Sequence, residues 1–78
     1  MANKIDFSII RDRALRNIRE DLLAEFAGQF DALEINDAFD AVLRTHRSSA
    51  VIEDFIPVLV EAEMRDRLRD GELFPSAA

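Results

Sequence analysis

The chain has 78 residues, a formal net charge of −6 and a hydrophobic fraction of 49%, and it contains no cysteine. This length allows one domain, and the missing cysteines exclude disulfide bonds and cysteine-bound zinc as sources of stability. No membrane span or signal peptide is predicted, so we expect a cytoplasmic protein. A single core in so short a chain seldom supplies more than about 3 to 5 kcal/mol, and association with another chain is therefore the expected support.

Helical periodicity predicts a first helix over residues 8–26, after an N-terminal extension of residues 1–7. Leu15, Ile18, Leu22 and Phe26 recur at gaps of three, four and four, which is the spacing of one helical face. Gly28 follows, and we expect it to close the helix in the left-handed conformation that a residue without Cβ adopts readily.

A second helix is predicted over residues 31–47. Asp31 and Glu34 have the spacing of a capping box, in which the two side chains satisfy amides of the first turn. The apolar positions of this helix are Ile35, Ala38, Phe39, Val42 and Leu43. His46 lies among arginines in the last turn, where the negative end of the helix dipole favours positive charge. We interpret it as a solvent-exposed residue that caps the helix.

The third helix is predicted over residues 50–70 and ends before Gly71. Pro57 cannot donate to the helical ladder, so we expect a kink or a tightened first turn there. Residues 72–78 are predicted to form a flexible tail, and residues 8–71 then form an all-α three-helix bundle.

The third helix is more apolar than a bundle of this size needs, because its apolar residues wrap well over half of its circumference. We predict that Ile52, Phe55, Leu59 and Ala62 form one face and that Ile56, Val60 and Met64 form a second, uncovered face. A symmetric homodimer would cover this excess. The candidate dimer interface comprises Ile52, Phe55, Ile56, Leu59, Val60 and Met64. The alternative is that the first two helices simply enclose the third.

Three segments, Leu23–Phe30, Val51–Glu61 and Arg65–Leu68, resemble the three-helix bundle dimerization domain of actinobacterial proteins. That domain is often found N-terminal to arsenate reductases that are similar to low-molecular-weight tyrosine phosphatases. The matching motif positions are Phe26, Gly28, Phe30, Phe55, Pro57 and Leu59. The resemblance implies a three-helix fold, self-association and a phosphatase or arsenate reductase-like protein as a possible partner. It implies no catalysis, because the phosphatase loop needs a cysteine.

We predict that the protein is not an enzyme and holds no cofactor or metal, because no pattern of catalytic or metal-ligating residues is present. Residues 31–78 carry five arginines against eleven acidic residues, so we expect no nucleic-acid binding. Two alternatives to a homodimerisation module stay open. One is a small helix-turn-helix regulator of nucleic acids, and the other is an adaptor for a separately encoded phosphatase or arsenate reductase.

Overall fold

The computed structural model describes residues 6–49 and 52–75, and these form three helices without a strand. Helix α1 spans Phe7–Glu25, α2 spans Ala32–Ser48, and α3 spans Ile56–Asp70 after a 3-10 turn over Glu53–Phe55. The all-α three-helix fold is thereby confirmed. Three parts of the predicted elements lie outside the described residues: residues 1–5 of the extension, residues 50–51 of the third helix and residues 76–78 of the tail.

Helix α1 begins one residue earlier than predicted, because Asp6 caps it. The Asp6 carboxylate accepts hydrogen bonds from the Ser8 amide at 3.0 Å and from the Ser8 hydroxyl at 2.6 Å. These bonds favour the charged carboxylate and hold the pKa of Asp6 below its ordinary value. Phe7 is therefore the first residue of the helix and no part of an extension.

The left-handed backbone conformation predicted for Gly28 is found at the other glycine. The left-handed residue is Gly71, with φ at 75°, whereas Gly28 has no positive φ. After α3 the amide of Glu72 donates to the Arg67 carbonyl at 2.9 Å and that of Gly71 to the Leu68 carbonyl at 3.2 Å, which is the Schellman arrangement. After α1 the chain keeps turning in the right-handed sense, because the Phe30 amide bonds the Phe26 carbonyl at 3.1 Å.

Helix α2 begins at Ala32, one residue later than predicted, and without the capping box. The Asp31 side chain makes no capping hydrogen bond, and its backbone carbonyl accepts from the Ile35 amide at 3.1 Å. Two ion pairs show that α2 runs antiparallel to α1. Arg19 meets Asp40 at 2.6 Å in the middle of the helices, and Arg47 lies 3.8 Å from Asp12 near the start of α1.

Helix α3 runs parallel to α1, and ion pairs fix this register at both ends. Arg11 donates to Asp54 at 2.9 Å beside the start of α3, and Arg65 donates to Glu25 at 2.7 Å beside the end of α1. The start of α1, the end of α2 and the start of α3 therefore share one end of the bundle.

The core lies between the three helices, and each helix contributes a stripe of large apolar side chains. Its buried members are Leu15, Leu22, Ile35, Ala38, Phe39, Val42, Ile56, Val60, Met64, Leu68 and Leu73. Ile18, Leu23, Phe26, Phe30 and Leu43 are partly buried against them. The core includes Leu73, so the start of the predicted flexible tail is packed, and the Leu73 carbonyl accepts a bond from Arg67 at 2.9 Å.

The predicted division of the third helix into faces is wrong. Ile56, Val60 and Met64, expected on the uncovered face, are at most 3% exposed and belong to the core. The stripe that they begin continues to Leu68 and so buries a large side chain at every turn, whereas the stripe through Leu59 runs on to Ala62 and Asp66. Burying the first stripe removes more apolar surface from water and places no carboxylate in the core.

Pro57 explains why α3 starts later than predicted. It occupies the first turn of the helix, where its missing amide hydrogen costs nothing because that amide has no helical partner. The residues before it form the tight 3-10 turn, which agrees with the predicted tightened first turn. Ile52 and Phe55 therefore precede the helix and cannot share its buried stripe.

Candidate functional site

Large apolar side chains are concentrated on the surface at one end of the bundle. The exposed large hydrophobic residues are Phe7, Ile9, Ile10, Leu33, Ile52, Phe55, Val58 and Phe74. Six of these eight lie in the first turn of α1 or around the start of α3. We call this set the apolar end, comprising Phe7, Ile9, Ile10, Ile52, Phe55 and Val58.

Arg11 holds the two halves of the apolar end together. Its guanidinium donates to Asp54 at 2.9 Å and to Glu53 at 3.3 Å, so the first turns of α1 lie beside the 3-10 turn. Ile10 precedes Arg11 in the chain, and Ile52 and Phe55 flank the two carboxylates. Charged groups thus sit among the apolar side chains, while the Arg11 side chain is itself only 24% exposed.

The apolar end is large for the surface of a monomer. Each of its six side chains is at least 54% exposed. With about 200 Å² for a phenylalanine and somewhat less for the aliphatic residues, they present on the order of 500 to 600 Å². The largest apolar patch on a typical soluble monomer covers about 300 to 600 Å² and is often functional. The summed exposure of the six residues is therefore comparable with the largest patch of a typical monomer.

The six predicted interface residues separate into two groups. Ile52 and Phe55 belong to the apolar end, and Leu59 is half-buried one turn later. Ile56, Val60 and Met64 are core residues, and no second chain can reach them while the bundle is folded.

Sequence reasoning missed four members of the apolar end: Phe7, Ile9, Ile10 and Val58. The signal for three of them was present, since Phe7-Ser8-Ile9-Ile10 places three large apolar residues in four consecutive positions before the amphipathic part of α1. Val58 lies on neither of the two faces predicted for the third helix. Its 66% exposure shows that it points away from the core.

His46 belongs to a hydrogen-bond network that links α2, α3 and the C-terminal segment. His46 Nε2 and Glu63 Oε1 share a hydrogen bond at 2.9 Å, and Arg67 donates to the other Glu63 oxygen at 2.5 Å. The expectation of a solvent-exposed His46 is wrong, because its side chain is only 19% exposed. Both Glu63 oxygens are occupied, so this carboxylate has a structural role at the α2–α3 contact.

Ion pairs connect the helices at the other end of the bundle. Arg65 donates to Glu25 at 2.7 Å and to Glu61 at 3.1 Å, so one guanidinium bridges α1 and α3. The hydrogen bond from Arg65 is the main reason why the pKa of Glu25 lies below its ordinary value, and the same bond raises the pKa of Arg65. An arginine thus binds two carboxylates at each end of the bundle, and the apolar end differs in carrying six of the eight exposed large hydrophobic residues.

Among residues 6–49 and 52–75, no helix is both long and apolar enough to cross a membrane. The His, Asp and Glu side chains of the same residues form no group of three that could hold a metal ion. Comparison with family models, curated proteins and solved structures gives no significant match. The resemblance to the actinobacterial dimerization domain therefore stays a prediction, and the apolar end is the feature on which a functional argument can rest.

Proposed function

We propose that the chain is a non-catalytic homodimerisation module and that two copies associate through their apolar ends. The observation that carries this proposal is the concentration of six of the eight exposed large hydrophobic residues at one end of the bundle. A twofold axis would place each apolar end against its own counterpart, and twofold dimers are the commonest oligomers. This proposed interface differs from the one predicted from the sequence. The two share only Ile52 and Phe55.

The available area is sufficient for a small specific interface. Two apolar ends together would bury on the order of 1,000 Å², which is about the lower limit for a specific protein–protein contact. At about 25 cal/mol per Å² the gross gain is on the order of 25 kcal/mol. Association costs an estimated 4 to 15 kcal/mol or more, in addition to the ordering of side chains. The area therefore permits a dimer, and its affinity depends on how well the phenylalanines pack.

Charge predicts how this association responds to salt. Each copy carries a net charge of −6, and each apolar end contains the carboxylates of Glu53 and Asp54 beside a single guanidinium. Two copies therefore repel each other electrostatically, while the apolar contact attracts them. Salt screens the repulsion, and we expect the dimer to become tighter between low salt and about 0.15 M.

The test compares two substitutions of the same kind at opposite ends of the bundle. Phe55→Asp places a charge in the apolar end, whereas Leu33→Asp changes a residue near the start of α2 that is at least as exposed. Sedimentation equilibrium should show a dimer for the wild type and for Leu33→Asp and a monomer for Phe55→Asp, because burying an unpaired carboxylate is costly. Circular dichroism checks that both variants remain helical.

The proposal fails if Phe55→Asp forms a dimer as stable as that of the wild type. It also fails if both variants dissociate equally, since the contact would then not be located at the apolar end. A monomeric wild type at concentrations of tens of micromolar would contradict self-association itself.

No observation favours the helix-turn-helix alternative. The region before and at the start of α3 exposes the carboxylates of Glu53 and Asp54 and the apolar side chains of Ile52 and Phe55, whereas a recognition helix presents polar and basic groups there. The adaptor role and the cytoplasmic location stay predictions.

A further inference from the structure

A second surface feature lies between α1 and α2, in a groove of about 290 Å³. The buried side chain of Leu15 and the partly buried side chain of Leu43 form its apolar part. Charged side chains supply the rest of the lining, namely Asp12, Arg16, Arg19 and Arg47. None of these residues belongs to the apolar end, so the groove is separate from the proposed dimer contact.

The three guanidiniums of the groove differ in how many hydrogen bonds they already make within the chain. Arg19 is fully engaged, since it donates to Asp40 at 2.6 Å and to Asn36 at 3.1 Å. It also lies 4.4 Å from the centre of the Phe39 ring, within the range of a cation–π contact.

Arg47 and Arg16 are less engaged. Arg47 reaches one carboxylate, that of Asp12, at 3.8 Å, and this distance is too long for a hydrogen bond. Arg16 makes no ion pair or hydrogen bond with any side chain in the described part of the chain. Two guanidiniums in the groove thus have donors available for a ligand.

The cavity at the opposite end of the bundle is a weaker candidate, although it is larger at about 450 Å³. Its two arginines are Arg65 and Arg69, and both already bind carboxylates of the same chain. Arg65 binds Glu25 and Glu61, and Arg69 binds Asp66. An anion that binds there would have to displace these carboxylates, whereas at Arg16 and Arg47 in the α1–α2 groove it would break no hydrogen bond to a side chain.

The positive charge of the groove is local. The whole chain carries −6, yet the groove lining has three arginines and one aspartate. At physiological ionic strength exposed charges more than about 8 Å apart are largely screened from each other, so the lining decides what a ligand meets at contact. An acidic ligand that also offers an apolar group matches both the charge and the leucine surface.

We propose that the α1–α2 groove docks an acidic amphipathic helix of another protein. An apolar side chain of that helix packs on Leu15 and Leu43, and neighbouring carboxylates accept hydrogen bonds from Arg16 and Arg47. Guanidinium–carboxylate bonds of this kind are short and about twice as strong as neutral ones. A homodimer would carry two such grooves and would present them to two acidic helices.

The charge and lining of the groove favour a protein ligand over a nucleic acid. Nucleic-acid binding depends on several Lys or Arg side chains that follow the phosphate backbone, and only two guanidiniums are available here. The carboxylate of Asp12 lies 3.8 Å from Arg47 and that of Asp40 pairs with the neighbouring Arg19, and both would repel a continuous run of phosphates. A helix can place its few carboxylates at the two guanidiniums and its apolar residues at the leucines.

The probe is a fluorescently labelled synthetic peptide of about 20 residues, long enough to form a helix, with leucines along one face and glutamates on both sides of it. Fluorescence anisotropy with the full-length protein should show binding that weakens as salt increases. The double variant Arg16→Glu/Arg47→Glu should bind this peptide about a hundredfold more weakly, because it removes two charge-assisted hydrogen bonds and each contributes roughly one factor of ten.

The matched control is Arg13→Glu/Arg44→Glu, which makes the same change of net charge on the same two helices. Arg13 and Arg44 are exposed and do not line the groove. The control should bind the acidic peptide within about twofold of the wild type, allowing for long-range repulsion that salt screens. A peptide in which lysines replace the glutamates should bind the Arg16→Glu/Arg47→Glu variant more tightly than the wild type.

Three results would overturn the proposal. The first is equal loss of binding in both double variants, which would mean a general field effect. The second is binding of random-sequence duplex DNA in preference to the acidic peptide, which would identify a nucleic-acid surface. The third is the absence of salt-sensitive peptide binding by the wild type. Measuring the mass of each variant by light scattering keeps these results separate from any failure of the dimer.

Discussion

Replacement of Val60 by alanine tests the observed faces of α3 most sharply, because Val58 offers the same substitution on the opposite side. Val60 is fully buried, whereas Val58 is 66% exposed. Val60→Ala removes two buried carbon groups at about 0.8 kcal/mol each and leaves a small cavity, so the loss should be about 1.5 to 3 kcal/mol. Val58→Ala should change the stability of the monomer by about 0.5 kcal/mol or less.

Urea unfolding followed by circular dichroism measures both effects. A chain of this size has an m-value near 1 kcal/mol/M, so Val60→Ala should lower the urea midpoint by about 1.5 M or more. Val58→Ala should leave the midpoint nearly unchanged at a protein concentration where the chain is monomeric. Equal losses for the two variants, or a larger loss for Val58→Ala, would refute the observed assignment of faces.

Protein concentration separates the core from the proposed dimer contact. Val58 belongs to the apolar end, and dimer formation stabilises the folded state by mass action. The effect of Val58→Ala on the urea midpoint should therefore grow as the protein concentration increases, while that of Val60→Ala should stay the same. A Val58→Ala effect that does not depend on concentration would remove Val58 from the contact.

Three further predictions follow from the ends of the helices and the C-terminal segment. Gly71→Ala should cost about 1 kcal/mol in thermal or urea unfolding because φ is +75°, and Gly28→Ala, without a positive φ, should not. Leu73→Ala should destabilise the protein by about 2 to 4 kcal/mol, since Leu73 is 5% exposed. An unfolding midpoint equal to that of the wild type would instead mean that Leu73 belongs to a flexible tail, as the sequence predicted. The depressed pKa of Glu25 contributes stability above its ordinary value of 4.5, and this contribution is lost as the pH falls through the lower folded-state pKa. Glu25→Gln should therefore be less stable than the wild type at pH 7 and should lose less stability on acidification to pH 3, as urea midpoints at the two values can show.

The number of helices and most of their ends could be predicted from sequence because local signals determine them. Periodic apolar residues identify α1 and α2, and their predicted bounds differ from the observed ones by one residue at each end. Pro57 and Gly71 mark the two ends of α3 through their effects on the backbone. Only the start of this helix was placed wrongly, because the apolar residues before Pro57 also fit a helical pattern.

The choice of the buried face on α3 could not be predicted in the same way. Two overlapping stripes of apolar residues compete there, and over the first turns periodicity gives no reason to prefer Val60 over Leu59. The stripes differ only further along, where one reaches Leu68 and the other Asp66, so the choice depends on which stripe gives the better packed bundle. The same limitation explains why only two of the six members of the apolar end, Ile52 and Phe55, were predicted as interface residues: the members come from two segments that are about 40 residues apart in the chain, and the contact of Arg11 with Asp54 brings them together.

The most direct test of the central claim is the mass of the unmodified protein by light scattering behind size exclusion, over a hundredfold dilution and at two salt concentrations. Association through the apolar ends predicts a mass near twice 8.9 kDa at high protein concentration, which falls toward 8.9 kDa on dilution. It also predicts that the dimer persists to lower protein concentration at the higher salt. A mass of 8.9 kDa throughout, or a dimer that salt dissociates, would contradict the claim.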